Sequence, residues 1–155
     1  MSKCCFVGYS SFEMKKSYKI ALRIIIKDLI NRGVDTFCFY EKSLLSDLCY
    51  DLVGKFKHLY PHIKRVYYLE SKDALNAKSN NKFLKRRKLK AFDEYIMVEE
   101  HTFKSHKMID DCQYCVFSFH KVLNKIEASY EIIEHEDISL LYKYATACEK
   151  HIIEL

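Results

Sequence analysis

Two kinds of apolar pattern alternate along this chain from end to end, and that alternation limits the folds open to it. Lys3 to Val7 carries no polar alternation, as a strand covered on both faces reads. From Ser17 to Arg32, Ile20, Ala21, Ile24, Ile25, Leu29 and Ile30 recur at helical spacing, which predicts a helix with that face on the core. Asn31-Arg32-Gly33 closes it with a glycine cap. Val34 to Tyr40 is a second strand, rich in aromatic and β-branched residues. Ser43 to Tyr60 reads as a second helix with Leu48, Leu52, Phe56 and Leu59 on its apolar face, ended by Pro61. Lys64 to Leu69 is a third strand, followed by a polar loop from Ser71 to Asn81 and a basic helical segment from Lys82 to Ala91. Glu94 to Val98 is a fourth strand, Thr102 to Asp111 a short helix, and Tyr114 to Phe119 a fifth strand, apolar apart from Ser118. Val122 to Ser129 fits either pattern, and Tyr130 to Ile133 is a candidate short strand. Ile138 to Lys150 is the last helix, and His151 to Leu155 the last strand.

Strands that alternate with helices in this way pair in parallel, because each crossover must return to the same edge of the sheet. The expected fold is α/β: a three-layer, Rossmann-like domain over residues 1–155, with a mainly parallel sheet of about five or six strands. Cys5, Phe37, Val66, Ile96, Val116 and Ile152 are expected on central strands, with Ile24 and Leu52 in helices packed against the sheet. Sheets of this kind bind ligands at the carboxyl ends of the strands, where the strand order reverses. The loops to consider are therefore 8–16, 40–47, 99–106 and 120–137.

Composition narrows the class. At 155 residues and 49% hydrophobic, the chain can bury a sizeable core, and disorder is excluded as its dominant state. No apolar run approaches the roughly 20 residues of a membrane helix, so no membrane partner is expected. The opening Met-Ser-Lys-Cys-Cys has no signal-peptide layout. Seven scattered cysteines are an odd number with no framework spacing, which fits buried thiols in a reducing, cytoplasmic setting. The net charge of +5 is uneven: Lys82, Lys85, Arg86, Arg87, Lys88 and Lys90 fall within KFLKRRKLK.

In order along the chain, CCFVGYS, TFCFYEKSLLSDLCYDLVGKFKHLYPHIKRVYYL, FLKRRKLKAFDEYIMVEE, SHKMIDDCQYCVFSFHK and LYKYATACEKHIIEL resemble the blocks of the YpsA-like proteins of the SLOG superfamily, which also holds DprA and the cytokinin-activating LOG enzymes. CCFVGYS resembles the family's opening CCFTGHR. TFCFYEKSLLSDLCYDLVGKFKHLYPHIKRVYYL is similar to its second strand, helix and third strand with the YP-x-I-K turn. FLKRRKLKAFDEYIMVEE resembles a segment ending A-D-E-V-x-x-V-S-E, and SHKMIDDCQYCVFSFHK resembles R-N-x-x-M-V-D-x-S-D with its following strand. LYKYATACEKHIIEL resembles Y-x-x-x-Y-A-x-x-x-G-K-P-I-I-x-I. The resemblance implies a nucleotide-type site at the carboxyl edge.

The departures bear on chemistry. The family's G-G-A-x-G-x-D loop is here Tyr40 to Asp47, without glycine. Its R-N pair becomes Lys104 and Ser105, while Met108, Ile109 and Asp110 keep M-V-D. Its G-G-T becomes Glu136-Asp137-Ile138, and two acids there repel a phosphate. The P-G-G-x-G-T-x-x-E run of LOG phosphoribohydrolases is absent, which argues against that reaction.

The candidate ligand residues are Gly8, Ser10, Ser11, Glu41, Asp47, Asp51, Lys104, Ser105, His106, Asp137 and Ser139. Gly8 with its serines offers backbone and hydroxyl donors, or is a plain strand-to-helix turn. Asp47 and Asp51 share a helical face, either toward a ribose or toward solvent. Lys104, Ser105 and His106 precede a helix, where a ligand anion is favoured. Cys112 and Cys115 have CxxC spacing but run into a strand, so they read as core thiols; no zinc pattern is present and no cofactor is expected. The expected function is binding of a nucleoside-like or nucleotide-derived ligand without an identified catalytic residue. The alternatives are a nucleic-acid module built on residues 82–90, a protein-interaction scaffold, and a hydrolase of N-glycosidic bonds.

Overall fold

A computed structural model describes residues 2–8, 16–41, 43–70, 91–118 and 138–155. Its elements run β1 (Ser2–Gly8), α1 (Lys16–Asn31), β2 (Val34–Phe39), α2 (Leu44–Leu59), β3 (Lys64–Glu70), β4 (Glu94–Val98), α3 (Lys104–Asp111), β5 (Tyr114–Ser118), α4 (Ile138–Ala147) and β6 (His151–Glu154). The six strands form one sheet in the order β4-β3-β2-β1-β5-β6, and every pairing is parallel. The architecture is the expected three-layer α/β fold.

Side-chain alternation explains why the strands read as unbroken apolar runs. Cys4, Phe6, Phe37, Phe39 and Val116 enter one core with Leu22, Ile26 and Leu29 of α1 and Leu45, Cys49 and Val53 of α2. Their neighbours Cys5, Val7, Cys38, Cys115 and Phe117 enter a second core with Met108 and Ile109 of α3 and Leu141 and Ala145 of α4. Both faces are therefore apolar. Six of the seven thiols are buried. Burial pushes the Cys4 and Cys49 thiols up, so they stay protonated and pack as small hydrophobes. Cys112 and Cys115 belong to the second core, as their sequence context implies.

The helix ends follow local chemistry. Gly33, at φ 96°, takes the left-handed position after α1, and its N–H bonds the Ile30 carbonyl at 3.0 Å. Ser43 caps α2, its Oγ accepting from Ser46 N–H at 3.0 Å.

Three expectations need correction. The apolar face of α1 is Leu22, Ile26, Leu29 and Ile30, whereas Ile20 and Ile24 are 54% and 64% exposed. On α2, Leu45, Cys49, Leu52, Val53 and Phe56 pack inward, and Leu59 points to solvent. In both helices a second set of apolar residues competes with the buried set at helical spacing. Ile96 and Ile152 lie on β4 and β6, which are the edges of the sheet and not its centre. The expected strand at 130–133 and residues 82–90 of the expected basic helix lie outside the described residues.

Candidate functional site

The strand order reverses between β1 and β5: the chain moves outward from β1 through β2 and β3 to β4, then crosses back to β5 and β6. Gly8 and Ser118 end these two strands and are register partners. They mark the switch point, where the sheet's geometry opens a crevice.

Gly8 is required there for a reason the sequence does not disclose. A Cβ at this position would sit 2.4 Å from Leu45 Cδ2 and 3.3 Å from Ser118 Cβ. Leu45 is buried in the first turn of α2 and belongs to the core. It fills the space over the glycine that a closely held phosphate would need. A valine at this position would do more than fill the turn, because any side chain there meets a core leucine.

Helix N-termini at this edge differ in what they leave open. The start of α2 is closed by Ser43, which supplies Ser46 N–H with its acceptor. The N-cap of α3 is Phe103, whose ring supplies no hydrogen bond. The first-turn N–H groups of α3 therefore have no side-chain acceptor from their cap, and Lys104 begins the helix beside them.

Ser105 follows in that same turn and is completely buried. Its Oγ has no hydrogen-bond partner among the described residues, and the same holds for Ser118 Oγ, on a residue 1% exposed. Buried hydroxyls are ordinarily paired. These two orphans at the carboxyl edge, Ser118 at the switch point on the α1–α2 face of the sheet and Ser105 in the first turn of α3 on the other face, are the clearest chemical feature of this edge.

His106 completes this turn. Its ring lies edge-on to Phe103 at 5.4 Å and to Tyr144 of α4 at 4.3 Å. Tyr144 donates to Asp110 Oδ1 at 2.5 Å, a bond that pushes its phenol up and keeps it protonated. Lys150 Nζ donates to the Asp110 carbonyl at 2.9 Å. Met108 and Ile109 are wholly buried. Met108-Ile109-Asp110 thus anchors α3 to the core and to α4. Tyr68 of β3 donates to Asp111 Oδ2 at 2.7 Å, and Lys107 pairs with Oδ1 at 2.9 Å. Burial first, then Cys38 and Asp111, push the Tyr68 phenol up, so it remains a donor. These contacts fix the α3 turn that presents Ser105.

The remaining candidates divide. Glu41 and Asp47 are half-buried around the start of α2, Lys104 and His106 are half-buried on α3, and Asp51 and Ser139 are exposed. Asp51 stands one turn farther along α2 than Asp47, as the spacing of four requires. Ser10, Ser11, Asp137 and the basic residues Lys82, Lys85, Arg86, Arg87, Lys88 and Lys90 lie outside the described residues. Among the described residues no group of three His, Cys, Asp or Glu side chains is placed to hold a metal ion. Sequence reasoning missed Leu45 and Ser118. Ser118 had a legible sign, a lone hydroxyl ending an otherwise apolar strand. The chain matches no protein-family model and no curated protein.

Proposed function

We propose that this chain is a divergent SLOG-type domain that binds a small nucleoside-like ligand, neutral or singly negative, at the carboxyl edge beside the β1–β5 switch point. The observation that supports this is the pair of buried, unpartnered hydroxyls of Ser105 and Ser118. An unmade hydrogen bond on a buried polar group costs about 1–3 kcal/mol, and a ligand rich in hydroxyls and ring nitrogens recovers it. The charge limit follows from the surroundings. Leu45 occupies the space above Gly8, Ser43 caps α2 internally, and Glu41 stands beside that turn. The start of α3, whose cap supplies no side-chain acceptor, offers its N–H groups to one negative group, with Lys104 in the same turn. Among the described residues at this edge, a triphosphate meets too little positive charge.

The test is a thermal-shift screen with nucleosides, nucleoside monophosphates, ATP and short oligonucleotides at two salt concentrations. A binder present at a hundredfold its Kd stabilises the fold by about 2.7 kcal/mol. The proposal expects shifts with nucleosides or monophosphates that persist at high salt and disappear in Ser105→Ala. Shifts with ATP alone would overturn the charge argument. Shifts with oligonucleotides alone, lost at high salt, would favour a nucleic-acid function for residues 82–90.

A further inference from the structure

The outer face of α1 carries a pattern that the fold does not use. Packing against the sheet is supplied by Leu22, Ile26, Leu29 and Ile30. On the outer side, Lys16, Ile20, Arg23, Ile24 and Lys27 recur at i, i+4, i+7, i+8 and i+11, and all five are exposed. The two isoleucines are 54% and 64% exposed, in the middle of a row of cations. The ion pairs of the described residues join Arg32 to Asp28, Lys57 to Asp93 and Lys107 to Asp111, and none engages Lys16, Lys19, Arg23 or Lys27. No acidic residue occurs on α1 before Asp28, which Arg32 neutralises at 2.9 Å. The neighbouring helix α2 adds exposed Lys55 and exposed Asp51, so the combined face stays positive.

We propose that this face docks reversibly on an anionic lipid surface, with α1 lying parallel to the plane of the bilayer. The argument is complementarity of charge and polarity together. The face presents three cations, Lys16, Arg23 and Lys27, that form no ion pair among the described residues, over about 16 Å of helix with aliphatic side chains between them. A bilayer surface rich in anionic lipid offers dense negative charge and hydrocarbon at nearly the same depth, and a basic amphipathic helix lies in that interface. A phosphodiester backbone meets the cations but gives the isoleucines nothing. The expectation of no membrane partner rests on the lack of a spanning helix, and among the described residues no helix is long and apolar enough to cross a membrane; docking at the surface needs none.

The experiment is co-sedimentation of the full chain with phosphatidylcholine vesicles and with vesicles containing about one-third phosphatidylserine, at low and physiological salt, with a duplex oligonucleotide tested in parallel. The expected result is binding to the anionic vesicles that weakens with salt, with none to phosphatidylcholine alone. The charge-neutral pair Ile20→Ser with Ile24→Ser should weaken it roughly tenfold, the effect of withdrawing two partly inserted side chains. Arg23→Glu with Lys27→Glu should weaken it more than roughly a hundredfold. All four positions are exposed, so thermal melts of the variants should match the parent. The proposal is overturned if anionic vesicles fail to bind at low salt, if both vesicle types bind equally, if the isoleucine pair binds like the parent, or if the oligonucleotide binds and the vesicles do not.

Discussion

Gly8→Ala separates two accounts of the glycine that ends β1. If Gly8 is there to let backbone approach a ligand, alanine should leave the unliganded protein nearly untouched. The structure says otherwise. The new methyl would lie 2.4 Å from Leu45 Cδ2, a contact that cannot be kept. Leu45 is 1% exposed and packed in the core, so its side chain has no solvent to swing into. Overpacking of this kind costs about 1–3 kcal/mol. Gly8 is not at positive φ, so alanine also gains about 0.4–1 kcal/mol by restricting the unfolded chain. The net expectation is a loss of about 1–2 kcal/mol, or about 2–8 °C in Tm for a chain of this size. A double-mutant cycle isolates the cause. Leu45→Ala alone should cost about 2–5 kcal/mol. In that background the methyl has room, so Gly8→Ala should become neutral or stabilising, a coupling of at least about 1 kcal/mol. Urea denaturation of the four proteins gives every term. Equal destabilisation by Gly8→Ala in both backgrounds, or none in the parent, would refute the packing argument.

Ser105→Ala and Ser118→Ala each remove a buried hydroxyl that has no partner among the described residues, so the unliganded protein should be as stable as the parent or more so, while ligand-induced thermal shifts shrink. Tyr68→Phe removes the donor to Asp111 and should cost about 1 kcal/mol in chemical denaturation, because Lys107 still satisfies that carboxylate. Asp93 accepts from Lys57 Nζ and, at 2.8 Å, from Arg65 N–H. Partial burial draws its pKa up, but the bonds to Lys57 and Arg65 outweigh it and hold the carboxyl below its ordinary value. A depressed folded-state pKa contributes stability above the unfolded value of about 3.9 and loses it as pH falls through the folded value. The stability gap between parent and Asp93→Asn, followed by urea melts across pH, should therefore be full at neutral pH, begin to close near pH 4, and vanish below the folded pKa.

Element order and the parallel sheet were legible because strands covered on both faces show as unbroken apolar runs, and the helices between them as periodic ones. Helix phase was not legible. On α1, Ile20 and Ile24 compete at the same spacing with Leu22 and Ile26, and only the sheet decides between them. Strand order is not a local property either, so nothing near Ile96 or Ile152 marks β4 and β6 as edges. At the site, Lys104, Ser105 and His106 could be placed from their position before a helix, and the structure brings them into one turn. The meaning of Gly8 could not be, because it depends on Leu45, which is remote in sequence and joins it only through the fold. Tyr144 and Tyr68, which brace α3 through Asp110 and Asp111, read in the sequence as ordinary aromatics of a helix and a strand.

The most direct test of the central claim is an amide-resolved titration of isotopically labelled protein by NMR with a nucleoside and with its monophosphate. The account predicts saturable shifts concentrated at Gly8, Ser118 and the first turn of α3 from Lys104 to His106, larger for the monophosphate at the Lys104 and Ser105 amides, and abolished by Ser105→Ala with Ser118→Ala. Shifts confined to the outer faces of the helices, or no saturable shift at millimolar ligand, would contradict it.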